Sequence, residues 1–320
     1  MEERQSRWSS MVWKRLHPYL CARLIPQNSM FLNFCHVLKF TIQFKMDLQT
    51  IINKYSIYKH CIVWKGIPSE ESALSKYLVY KLLHHYREGG GWMLRNIYNW
   101  DCQKETNFWF IIKDHYCRDE YCKKTKKYLA KANDRFNYTL VSKELLKEQG
   151  YTVYHKAYSH YKINDGFHDT EVDFISRIDN MTPQHQIWGA IDKETGQLEA
   201  YSICRIDDTV CTYESSKANP EFLPKYYVMY GLYDARDRYY LNDKHLKYVV
   251  SSARSISEHS NIQTFLVEKL NYRRAYCELK LHYTWWFGLV IKLMYPFRNH
   301  IPIAKIKNIL KFEQINRERY

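Results

Sequence analysis

The chain has 320 residues, 46% of them apolar and 16% aromatic, which is enough for a sizeable core and excludes an intrinsically disordered chain. Forty-eight Lys and Arg against 34 Asp and Glu leave a net charge of +14, so the partners attracted are anions: nucleic acid, phosphorylated cofactors or anionic lipid. A mean hydropathy of −0.56 argues against a polytopic membrane protein, and a cytoplasmic location is expected. Nine cysteines, with no Cys-x-x-Cys pair and no leader pattern, give no disulfide framework. Their densest group, His115, Cys117 and Cys122, lacks the tight ligand pairing of a structural zinc site, so no metal is expected.

Residues 1–45 stand apart, with scattered bases and an irregular Trp and Leu pattern. The apolar run from Met30 to Met46 is interrupted by Asn33, His36, Lys39, Gln43 and Lys45 and is too short to span a bilayer. We expect Met46 to be the natural start and 1–45 to be a leader. The alternative is a basic amphipathic surface segment.

Residues 46–150 read as an N-terminal α/β subdomain. Ser69 followed by Glu70 and Glu71 predicts a helix N-cap. Leu74, Tyr77, Leu78, Leu82 and Tyr86 fall on one face of that helix. Gly89, Gly90 and Gly91 stop it; they lack the lysine and serine of a phosphate loop and the spacing of a dinucleotide site. Phe108 to Ile112 is strand-like. Lys123, Lys124, Lys126, Lys127 and Lys131 then make the solvent face of a helix, or a patch for phosphate or a membrane surface. Phe136 to Val141 predicts another strand, and Ser142 caps a short helix ending at Gly150.

Residues 151–283 carry the clearest pattern. Ile187 to Ile191, Leu198 to Ile206 and Thr209 to Ser215 predict a meander of three antiparallel strands, with turns at Asp192–Gln197 and Asp207–Asp208. Pro220 and Pro224 precede a long helix that places Tyr226, Met229, Tyr230, Tyr233, Asp237 and Tyr240 on neighbouring positions. Lys247 to Ser251 is a strand, and Ser260 or Asn261 caps a helix with Ile262, Phe265, Leu266 and Lys269 on one face. Arg274 to Tyr283 alternates strictly, with Ala275, Cys277, Leu279 and Leu281 on the apolar side. Residues 284–320 form a basic, apolar extension. Trp285 to Tyr295 is too short to span a bilayer. It predicts either a helix docked on the domain or an interfacial anchor that meets anionic lipid with Arg298, Lys305, Lys307 and Lys311.

The order of strand, strand, strand, helix, strand, helix, strand resembles the core of the GNAT acyltransferases. The stretch Arg254 to Leu279 is similar to that family's last helix and its entry to the next strand, which reads Leu270-Asn271-Tyr272-Arg273 here. Together with Trp188-Gly189 and the Leu198–Ser202 strand, it also resembles GNAT-like proteins encoded near polysaccharide-synthesis genes, and Fem-type aminoacyltransferases that pair two GNAT-like halves. Residues 46–150 would match a degenerate first half. The resemblance implies an α/β fold with a splayed mixed sheet flanked by helices, and transfer of an acyl or aminoacyl group to an amine, such as that of an amino sugar. Acyl-CoA is the implied donor and aminoacyl-tRNA its alternative; only the latter would make nucleic acid a partner. The family holds the coenzyme A pyrophosphate with a glycine-rich loop before the long helix. The matching residues, Ser215 to Glu221, contain no glycine.

Acyl transfer to an amine needs a base, an oxyanion or leaving-group donor, and orientation of both substrates. Glu214 at the end of the third meander strand, His259 before the capped helix and Tyr230 on the long helix are the catalytic candidates. Ser215, Lys217, Arg254 and Asn261 are the donor-binding candidates. An ordinary strand-end glutamate, a loop histidine and a packing tyrosine are the plain alternatives. Two other functions compete: a basic nucleic-acid-binding protein, which no recognised motif supports, and a GNAT-like scaffold without activity.

Overall fold

The computed structural model describes residues 48–160, 169–256 and 261–318. The expected leader, the expected start at Met46, His259 and Ser260 lie outside the described residues. The chain divides into two compact units, 1–55 and 56–320. The described part of the first, 48–55, is a short helical stretch over 48–53 that leads into Tyr55, the first residue of β1.

The second unit is a mixed α/β body organised by one ten-stranded sheet. Its strands are β1 (Tyr55–Tyr58), β2 (Cys61–Trp64), β3 (Met93–Tyr98), β4 (Phe108–Lys113), β5 (Phe136–Val141), β6 (His185–Asp192), β7 (Leu198–Asp207), β8 (Val210–Ala218), β9 (Tyr248–Ala253) and β10 (Arg273–Tyr283). Their spatial order is β1-β2-β3-β10-β4-β9-β8-β7-β6-β5. The β5–β8 run is a continuous antiparallel meander. β8 and β9 are parallel, as helical crossovers require. β4 pairs antiparallel with β9 on one side and with β10 on the other, so an early strand is inserted between two late ones. This is the splayed, helix-flanked mixed sheet that the resemblance implied.

Helices cover both faces. On one face lie α2 (Lys123–Arg135), α5 (Phe222–Tyr226), α6 (Val228–Arg238) and α7 (Asn261–Leu270). Their Leu129, Leu232 and Leu266 share a core with Trp188, Cys204, Cys211 and Tyr213 of the strands. On the other face, α3 (Lys143–His160) and α4 (Glu171–Asp179) bring Leu146 and Phe174 onto Ile187 and Tyr201. Beside them, α8 (Trp285–Met294) and α9 (Ala304–Arg317) pack Phe287 and Ile315 near Ile97, Phe110 and Leu279. The alternation read in β10 holds, with Ala275, Cys277, Leu279 and Leu281 all buried. All five lysines of α2 are exposed, while Thr125, Leu129 and Ala132 turn inward.

Three local expectations are corrected. Ser69 does not cap a helix; it lies in a short 3-10 turn (Pro68–Glu70), and α1 (Lys76–His85) starts later, with Ser75 Oγ accepting the Leu78 N–H. The delay follows from Glu71, which is buried and accepts hydrogen bonds from the Ile97 N–H and Asn96 Nδ2. Gly150 does not end its helix, and α3 continues to His160. A Cβ at Gly150 would stand 2.6 Å from Leu146 and 3.1 Å from Phe174, so glycine here permits close packing of α4. The long helix after Pro224 is two helices, broken at Tyr227, whose φ of 55° is left-handed. At Leu270-Asn271-Tyr272-Arg273 the chain leaves α7 through Asn271 at φ 56°, a conformation that asparagine tolerates at a helix end.

Candidate active site

β8 and β9 pair over only three steps: Val210 with Tyr248, Cys211 with Val249 and Thr212 with Val250. Beyond Thr212, β8 stays with β7 as far as Ala218. Beyond Val250, β9 stays with β4, Ser252 facing Ile111 and Ala253 facing Phe110. Each strand therefore keeps its outer partner while the inner pair parts, and a fork opens in the middle of the sheet.

Glu214 stands at this fork. The β7–β8 register passes from Cys204–Tyr213 to Ile203–Ser215, leaving Glu214 as the extra residue of a β-bulge. Bulges of this kind re-aim a side chain. Glu214 Oε2 lies 3.2 Å from His185 Nε2, and Oε1 lies 3.6 Å from Arg205 Nε. His185 and Arg205 face each other across β6 and β7, and Arg205 also holds Asp207 at 2.8 Å and the Lys65 carbonyl at 3.0 Å. The Thr182 N–H and hydroxyl reach His185 Nδ1 at 3.0 and 2.9 Å. That nitrogen then accepts, and Nε2 carries the proton toward Glu214. The imidazole and guanidinium steady a carboxylate whose side chain remains 35% exposed.

Beneath the fork, on the α6 face, lies a buried polar network. Asp237 is fully buried and accepts from the hydroxyls of Tyr213 and Tyr272, each at 2.7 Å. It also accepts from Lys113 Nζ at 3.3 Å, and that ammonium donates to Tyr121 at 2.7 Å. Burial raises the tyrosine hydroxyls of Tyr213 and Tyr272 well above their ordinary range, so both remain donors. Arg236 is fully buried as well, hydrogen-bonded to Ser202 and to Ser216 at 3.1 Å, with its guanidinium packed on Tyr213 at 3.6 Å and Tyr233 at 4.0 Å. These contacts tie β4, β8, α6 and the entry to β10 together around the fork.

The other expected residues are placed separately. Tyr230 is on the α6 face, opposite the Glu214 cluster, edge-to-face with Phe265 at 4.7 Å and Tyr128 at 5.3 Å. Burial raises its hydroxyl. The Ser215 carbonyl accepts from Ser202 Oγ at 3.2 Å. Lys217 lies over the Tyr158 ring of α3 at 4.2 Å, and desolvation lowers its pKa. Arg254 donates to the Asn107 carbonyl and stacks on Trp109 at 4.4 Å. Asn261 opens α7 and is exposed. The segment after β8 has no glycine, Lys217 turns to α3, and the start of α6 is joined directly to α5 through Tyr227. On the surface, His115, Cys117 and Glu120 bring ligand atoms within 4.8 Å of one another. Cys122 turns instead to Thr125 at 3.3 Å.

Sequence reasoning missed His185, Arg205, Lys113 and Arg236. A signal was present for the first two, because a three-strand meander must stack residues of one parity. Asp237 reads as a helix position, and a carboxylate amid tyrosines at core spacing is itself a sign of a buried network.

No protein-family model matches the chain, and no curated protein matches it. Among solved structures, L-PGS from Bacillus licheniformis is 10% identical with a TM-score of 0.43, covering 82% of this chain and 85% of that one. FemX is 9% identical with a TM-score of 0.44, covering 69% and 81%. A tandem GNAT protein from the clavulanic acid biosynthesis pathway is 13% identical with a TM-score of 0.36, covering 64% and 68%. The functional reading of this chain rests on its own geometry.

Proposed function

We propose that this chain transfers an acyl or aminoacyl group to an amine at the fork between β8 and β9. The observation that carries the reading is the bulged Glu214, steadied by His185 and Arg205 where the strands part. An ammonium acceptor must lose a proton before its nitrogen can attack, and a positioned carboxylate supplies that step. The acceptor approaches from the α3 and α4 face, where Glu214 is open.

The donor is a thioester or an aminoacyl-tRNA, met on the α6 face. Its support is the lysine face of α2, which borders the start of α6 through the Tyr128–Tyr227 stack at 3.8 Å, with Lys131 over Tyr227 at 5.9 Å. Such a face attracts a polyanion of either kind. Ser215, Arg254 and Asn261 remain the donor-side candidates and Tyr230 the candidate proton donor to the leaving group, while Lys217, packed on Tyr158 of α3, lies on the acceptor face.

The test is a mass-spectrometric transfer assay, pairing acyl-CoA and aminoacyl-tRNA donors with a panel of amines that includes amino sugars. Glu214→Gln should lower kcat on the order of 10²–10⁴-fold while leaving thermal stability unchanged. Full activity of that variant would exclude Glu214 as the base. Absence of transfer from every donor would move the reading to a scaffold.

A further inference from the structure

Helix α8 is inside out for a surface helix. Ile291 is its one buried residue. Trp285, Trp286, Leu289, Val290 and Leu293 are 79%, 36%, 52%, 40% and 63% exposed. At 3.6 residues per turn these five share an arc of about 140°, with Lys292 at its border. The opposite arc holds the helix to the body: Phe287 meets Tyr283 at 5.9 Å and Trp92 at 5.7 Å. The apolar surface continues through Phe297 and Ile303, 64% and 55% exposed. From Thr284 to Phe312 there is no Asp or Glu, while Lys292, Arg298, Lys305, Lys307 and Lys311 are all basic. Lys292, Lys305 and Lys307 are exposed.

A contiguous apolar patch of this kind marks a docking surface, and its charge selects the occupant. A second copy would press two wholly positive patches together across a symmetric interface. A nucleic acid would engage the lysines and leave Leu289, Leu293 and Phe297 without partners. Tryptophans beside aliphatic side chains, framed by lysines, suit the boundary between lipid headgroups and acyl chains. The ten residues of α8 span about 15 Å, half the hydrocarbon thickness of a bilayer. Among the described residues no helix is long and apolar enough to cross a membrane.

We propose that α8 and the start of α9 dock in the plane of an anionic lipid surface. The apolar arc enters the interface, and Lys292, Lys305 and Lys307 meet the headgroups. This proposal does not depend on the acyl-transfer reading.

The experiment is co-sedimentation of the full chain with phosphatidylcholine vesicles, with and without phosphatidylglycerol, followed by tryptophan emission. Binding to the anionic vesicles with a blue shift is expected. The variant K292Q/K305Q/K307Q should lose on the order of a hundredfold in partitioning, at about fivefold for each cation near the surface. The variant L289S/L293S/F297S should lose both binding and the blue shift while unfolding at the parent's temperature, because all three residues are exposed. Failure to bind anionic vesicles would overturn the proposal, as would binding that neither variant weakens. A dimer in light scattering that L289S/L293S/F297S dissolves, in a chain that ignores vesicles, would assign the patch to a second copy instead.

Discussion

Replacing Asp237 by asparagine tests whether the buried network holds the fork. The carboxylate is fully buried and faces one ammonium and two phenols, with Arg236 next to it in sequence and also fully buried. Asparagine keeps the shape and an Oδ1 that can accept from both tyrosines, but it turns an amide N–H toward Lys113 Nζ in place of the carboxylate oxygen that Lys113 pairs with. Removing one partner of a buried pair costs about 3–5 kcal/mol. Unfolding entropy scales with chain length, giving about 0.6 kcal/mol per kelvin for this unit, so Asp237→Asn should lower Tm by about 5–8 °C. Differential scanning calorimetry measures that shift. The double variant Lys113→Met, Asp237→Asn removes the stranded charge and should recover most of the loss, a coupling that the double-mutant cycle reads directly. A Tm within about 1 °C of the parent for Asp237→Asn, or strict additivity in the cycle, would refute the claim that Lys113 and Asp237 are one unit.

Glu71 makes stability depend on pH. Burial pushes its carboxyl up to about 7 from 4.5, so the folded chain holds a proton that the unfolded chain releases. Stability should therefore fall by about 3 kcal/mol as pH rises through that window, and Glu71→Gln should flatten the fall in urea melts at about pH 5 and pH 8; equal falls in both proteins would count against it. Gly231→Ala should destabilise by about 1–3 kcal/mol, despite alanine's better helix propensity, because a Cβ there overlaps the Tyr138 ring. Tyr138→Ala should relieve that overlap, and a denaturation series of the two singles and the double decides the matter.

The sequence exposed whatever depends on local periodicity. The β6–β8 meander and the strict alternation of β10 are each written within one segment of chain. Elements that depend on distant partners were not readable. Ser69 looks like a cap, but a buried Glu71 bound to Asn96 and Ile97 on β3 holds the following residues extended. Gly150 looks like a stop, but Phe174 from another helix packs over it. Glu214 reads as a strand-end carboxylate, yet β8 continues to Ala218, so Glu214 lies within the strand. Its value as a site comes from a register shift between β7 and β8, which no single-strand pattern encodes. The insertion of β4 between β9 and β10 lay equally out of reach, because β4 pairs with segments more than a hundred residues away.

The most direct measurement is a crystal structure with a non-hydrolysable thioester or an aminoacyl-adenosine analogue. The account predicts that the reacting carbonyl lies between β8 and β9, past Thr212 and Val250, with the acceptor side open to Glu214. A donor bound elsewhere on the molecule, with the two strands closed against each other beyond Thr212, would contradict it.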